Sequence, residues 1–186
     1  MRPKKNNPVA RFLVLFLVLF ALFYYFNILF FKVTISTDPY YIPFLDHYLN
    51  YIDWLRWALL HGSAKILKWF GYVTIGNKYE LLVVGKGSIR VVYQCLGLGV
   101  LSFFAAFVIA YPAALKPKFL FLIAGATGIQ VLNLLRFIFV VLLWNWRRNQ
   151  IMDHHTLFNI FIYIVIAIVL YFWIKADTGE KMQQTT

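Results

Sequence analysis

The chain alternates between long apolar runs and short basic or polar brackets. Phe12 to Phe31 is almost unbroken apolar sequence, and a helix needs about 20 such residues to cross a bilayer. Leu96 to Ala114, Phe119 to Trp144 and Thr156 to Ile174 are comparable runs and predict three further spans. The link Leu115-Lys116-Pro117-Lys118 separates the second span from the third, and Asn145 to His155 separates the third from the last. Between the first and second spans the pattern changes. Residues 32–50, with their Pro and Tyr residues, read as a loop. Tyr51 to Phe70 has helical spacing, with Ile52, Leu55, Leu59 and Ile66 on one side. Asp53, Arg56, His61, Lys65 and Lys68 make that helix costly to bury in lipid, so it is expected to lie at the membrane interface. Residues 72–94 form β-rich runs separated by Gly-containing turns, which predicts a small antiparallel meander. The polar tail, 175–186, is expected to be disordered.

The fold class that follows is an all-α integral membrane protein, a single domain over residues 1–186. It has about four transmembrane helices, an interfacial helix and a small β-meander. Composition agrees: 62% of residues are hydrophobic and 13% charged, and the mean hydropathy is +0.71, values outside the range of a water-soluble domain. The first run is too long for a signal peptide, and no small-residue cleavage site follows it. It reads as a retained span with a cytoplasmic N-terminus. A formal charge of +11 raises the question of nucleic acid. The basic residues answer it, because Arg2, Lys4, Lys5, Arg11, Lys116, Lys118, Arg147, Arg148 and Lys175 flank apolar runs, as membrane punctuation does. The partner they imply is lipid, and no nucleic acid is expected.

Cys95 is the only cysteine, so no intramolecular disulfide and no zinc site built on several thiolates is available. GxSxG, HExxH and P-loop patterns are absent. Successive spans alternate in direction, which places residues by depth. Cys95 opens one span, and Arg136 lies about 12 Å from the Trp144 end of the next, at 1.5 Å per residue. His154 and His155 immediately precede the last. All of them fall on one face of the membrane. Each also has a plainer reading: a lone membrane Cys is usually small apolar packing, and Asp153-His154-His155 alone reads as a solvated loop. Arg136 is harder to explain away, because a cation inside a span is costly and defaults to a functional or paired role. Asn133, three residues earlier, shares its helical face. No metal and no cofactor are expected, since adjacent histidines diverge by about 100° on a helix.

These residues resemble the exosortases and archaeosortases, membrane-embedded cysteine transpeptidases whose pattern is Cys-x-Gly-Leu opening a span, Asn-x-x-Arg inside the next and a His before the last. Here the matches are Cys95-Leu96-Gly97-Leu98, Asn133-Leu134-Leu135-Arg136 and His155, over about residues 70–174. The sequence departs at Leu96, where a small residue is usual, and at Asn159, where a Gly often follows the His by four. Counting from Asn159 selects His155 over His154. The chain is short for the family and looks like a compact branch.

The resemblance implies a peptidase or transpeptidase with Cys95 as nucleophile and His155 as proton carrier. Arg136 would hold the thiolate or the developing oxyanion, with Asn133 or His154 in support. It implies as substrates exported proteins that end in a short motif, a hydrophobic span and a basic tail, with a lipid or glycan as acceptor. It places the chain in the cell (inner) membrane as a multi-pass protein, catalytic face outward. Counting basic residues favours a crossing at 51–70 instead, but burying the charges of that helix would cost more than a loop bias supplies. Two other readings stay open: a non-enzymatic membrane scaffold or assembly factor, and a small anion transporter built on Arg136.

Overall fold

A computed structural model describes the backbone of residues 7–143 and 154–183 and the side chains of 7–142 and 160–177. Helix α1, Pro8–Val33, begins with Asn7 accepting the N–H of Val9 and with Pro8 in the first turn, a position that has no intrahelical donor to lose. A short helix α2, Pro43–Leu49, and helix α3, Tyr51–Trp69, follow. Next come strands β1 (Thr74–Gly76), β2 (Glu80–Val83) and β3 (Gly87–Arg90), a 3-10 helix at Tyr93–Leu96, and helices α4 (Leu98–Ala110), α5 (Leu115–Leu143) and α6 (His154–Gln183).

Three of these helices, α1, α5 and α6, contain stretches long and apolar enough to cross a membrane. The small sheet is antiparallel in the order β1-β2-β3. Its turns use the predicted chemistry: Asn77 Oδ1 accepts the N–H groups of Tyr79 and Glu80, each at 2.8 Å, and Gly85 takes φ +77°. Leu81, Val83 and Ile89 form the inner face and pack in one buried cluster with Ile52, Leu59, Leu60 and Leu67 of α3 and Phe137 and Val141 of α5.

Four boundaries differ from the sequence reading. The span expected over 96–114 is the 13-residue α4, only about 20 Å long and short of a bilayer core of about 30 Å. Gly97, at φ +69°, breaks the backbone before it. After it, Tyr111 is extended because Pro112 disfavours the helical region for the preceding residue. The Leu115–Lys118 link lies inside α5, where Pro117 is tolerated in the first turn. The 32–50 loop contains α2, opened by Pro43. The tail expected to be disordered continues α6 to Gln183, since Lys175, Ala176, Glu180, Lys181 and Met182 all favour helix.

The interior of the bundle is α4, where every second residue from Leu98 to Ala110 is buried. Its Phe104 is 1% exposed and packs with Ile129 of α5 and Ile162 and Ile166 of α6. On the opposite side Phe12 and Phe16 of α1 meet Phe107 and Phe103 edge-on, with ring centroids 5.4 Å apart in each pair. Gly125 of α5 lies against Phe104, and a Cβ there would overlap the ring, whereas a Cβ on Gly128 would meet nothing within 4 Å. Gly125→Ala is therefore expected to lower stability by about 1–3 kcal/mol through overpacking. Gly128→Ala should be neutral or stabilising by up to about 1 kcal/mol through helix propensity. Thermal unfolding of both variants in nanodiscs separates the two, and equal behaviour would remove the close approach from the account.

Candidate active site

The segment that carries Cys95 leaves β3 at Arg90, continues extended through Val92 and closes into the 3-10 helix. The Cys95 N–H donates to Val92 O at 2.9 Å. The turn ends at Gly97, whose left-handed φ favours glycine. A Cβ there would also overlap the Asn133 amide. Both reasons fix Gly97 as the residue that lets α4 start directly behind the thiol. Cys95 has no exposed surface and belongs to the cluster around Phe137 and Leu60.

Opposite this turn α5 presents Gln130, Asn133 and Arg136, a polar stripe at a spacing of three, which keeps them on one side of the helix. Arg136 Nη2 donates to the Cys95 carbonyl at 3.3 Å. Asn133 Nδ2 donates to the Leu96 carbonyl at 3.3 Å and also to Gln130 Oε1 at 3.3 Å. Gln130 Nε2 reaches the Leu96 carbonyl at 3.4 Å. Carbonyls at the end of a short helical turn have no partner within it, and this stripe supplies donors from the neighbouring helix. Arg136 is 3% exposed, and its guanidinium carbon stands 5.4 Å from the centroid of the Phe137 ring. Among the described residues, the buried Asn133 Oδ1 meets no hydrogen-bond donor.

The structure therefore brings Cys95, Arg136 and Asn133 together. His154 and His155 are the first residues of α6, and their side chains, like that of Asn159, lie outside the described residues. Gln130 was not anticipated from the sequence, although its three-residue spacing from Asn133 and Arg136 is visible there.

A second polar group braces the start of α4. Tyr51 of α3 donates its phenol to Asn27 Oδ1 on α1. Asn27 Nδ2 donates to Ser102 Oγ on α4 at 3.0 Å and to Phe23 O at 2.9 Å, and Ser102 Oγ donates to Leu98 O at 2.8 Å. Burial, and to a lesser degree Tyr93, pushes the Tyr51 phenol up to about 12, so it remains a donor across the physiological range. Asn27 is a lone amide in an apolar span, a signal that sequence reasoning passed over. Tyr51→Phe leaves the Asn27 carbonyl oxygen without this donor and is expected to cost about 1–2 kcal/mol. Thermal unfolding checks this, and an unchanged midpoint would show that the three-helix brace is idle.

A family model described as transmembrane exosortase (Exosortase_EpsH) matches residues 4–173. No curated protein and no solved structure matches the chain.

Proposed function

The chain belongs to the transmembrane exosortase family, and we propose that within it the chain is a membrane-embedded cysteine peptidase or transpeptidase that cleaves C-terminal sorting signals of exported proteins. The observation that carries this reading is the placement of the sole thiol on a short turn whose carbonyl is held by a buried arginine, Arg136, from the facing helix.

In the proposed reaction His155 takes the thiol proton and Cys95 Sγ attacks the scissile carbonyl carbon. The C–N bond breaks, the leaving amine receives the proton from His155, and the acyl group remains on sulfur as a thioester. Arg136, permanently charged in a low-dielectric setting, opposes the negative charge that develops on sulfur and then on the carbonyl oxygen. An acceptor nucleophile from a lipid or glycan, or water, then takes the acyl group and restores the thiol. Because Cys95 is fully buried, the turn or the side chains covering it must move before a peptide reaches the sulfur. That same burial is the one observation favouring a scaffold, in which Cys95 is simply core.

The experiment that separates these readings is deletion of the gene followed by mass spectrometry of exported proteins that end in a shared motif, an apolar span and a basic tail. Under the peptidase reading they accumulate uncut and membrane-retained. Unchanged C-termini would favour the scaffold. Orientation has its own test. The chain is a multi-pass membrane protein, and the proposed inner-membrane placement with an outward catalytic face predicts that cysteines introduced at Ser88 and Asn149, on a Cys95→Ala background, react in intact cells with a membrane-impermeant thiol reagent. Reaction only after permeabilisation would invert the orientation.

A further inference from the structure

Away from Cys95, α3 and the sheet enclose an open groove of about 640 Å³. One wall is aromatic. Trp54, Trp57 and His61 share a face of α3, both indoles are more than half exposed, and the His61 ring stacks on Trp57 with centroids 4.4 Å apart. The other wall is the free edge of β1. Val84 N donates to Val73 O at 3.0 Å and Asn77 N to Glu80 O at 2.9 Å, with Ile75 paired to Leu82 between them. Hydrogen-bonded and non-hydrogen-bonded pairs alternate along an antiparallel ladder. Val73, Ile75 and Asn77 therefore face β2, and the N–H and C=O groups of Thr74 and Gly76 point away from the sheet. Both of these residues line the groove.

Two carboxylates, Asp53 and Glu80, and two lysines, Lys68 and Lys78, line this groove. Asp53 lies between Arg56 and Lys78, and Glu80 pairs with Arg90 at 3.1 Å. Both carboxylates are thus already matched, and Asp53 is matched twice. Lys68, which also lines the groove, makes no salt bridge among the described residues and adds a further cation. A lysine that no carboxylate among the described residues engages, beside strand groups that face away from the sheet, suits an occupant with backbone donors and acceptors and a negative side chain.

We propose that this groove binds an extended, carboxylate-bearing peptide segment that adds to the sheet as a fourth strand along Thr74 and Gly76, with its acid toward Lys68. This recognition mode takes affinity from main-chain hydrogen bonds and specificity from alternate side chains. Its floor includes Leu60 and Leu81, which belong to the same buried cluster as Cys95. Cys95, Gln130, Asn133 and Arg136 are not among the residues that line the groove, so a bound segment lies outside the site already described. Identifying the segment with the motif that precedes a sorting span rests on the peptidase reading, whereas the binding itself does not.

The test uses the full chain in nanodiscs and fluorescence polarisation with three short labelled probes. These are a peptide alternating Thr and Val around a central Glu, its Gln counterpart, and the Glu peptide N-methylated at alternate residues. The Glu peptide should bind several-fold more tightly than the Gln peptide. N-methylation should weaken binding about tenfold through lost strand hydrogen bonds. Lys68→Gln should erase the difference between Glu and Gln. Thr74→Pro removes an outward N–H without touching the β1-β2 ladder, so it should lose binding while keeping the thermal midpoint. On wild-type protein the Glu peptide should slow hydrogen exchange at the Thr74 and Gly76 amides. Cys95→Ala should bind normally, so a chain that binds these probes but processes nothing keeps the groove and loses the peptidase reading. Absence of binding at about 1 mM peptide, or binding indifferent to N-methylation, overturns the proposal.

Discussion

Cys95→Ala is expected to insert at normal abundance and to lose processing of its target by a factor on the order of 10³ or more, the usual consequence of removing a nucleophile that acts as part of a catalytic unit. The substitution removes one sulfur from a site with no exposed surface, so the loss of packing is small beside the loss of chemistry. Cys95→Ser sharpens the comparison. It keeps size and a proton, but the hydroxyl is a far weaker nucleophile than a thiolate at neutral pH. A scaffold or an anion transporter tolerates both changes. Quantitative mass spectrometry of precursor and product C-termini reads the outcome, and full processing by either variant would sink thiol catalysis.

Arg136→Lys should cost turnover on the order of 10²-fold although the charge is kept, the scale seen when one oriented donor to a developing oxyanion is lost. Arg136 Nη2 already donates to the Cys95 carbonyl at 3.3 Å. A planar fork can keep that bond while presenting another N–H toward the reacting carbonyl, and an ammonium on a flexible stem holds neither direction. Arg136→Leu adds a structural penalty of about 1–3 kcal/mol, because the buried Cys95 carbonyl then loses this donor. The two variants therefore separate: Lys should fold and turn over slowly, whereas Leu should also unfold at lower temperature. Near-normal turnover by Lys would reduce Arg136 to a generic positive charge.

The apolar runs made the long helices legible, because a span of lipid-facing residues leaves little choice of local structure. The meander was legible in its turns, where Asn77 and Gly85 do what their side chains allow. The interruption around α4 was less so. Hydrophobicity runs straight through Cys95-Leu96-Gly97-Leu98, and nothing in that average shows that Gly97 adopts a left-handed conformation and ends a 3-10 turn. Depth counting put Cys95 and Arg136 on one face, and the structure joins them. The hydrogen bond runs through the backbone carbonyl of Cys95, a group that residue lettering does not display. The groove beside β1 was equally hidden, since it depends on Gly76 lying opposite Leu81 on the face toward α3.

The shortness of α4 bears on biogenesis. At 13 residues it cannot hold a stable crossing alone while the ribosome is still adding α5, because the whole helix is about 10 Å shorter than the hydrocarbon core is thick. Only Tyr111 to Ala114 separate it from α5. The two helices are therefore expected to leave the translocon as one helical hairpin, with α5 serving as the wall against which α4 is retained. The thiol turn then acquires its depth late, when the hairpin docks against α1 and α3.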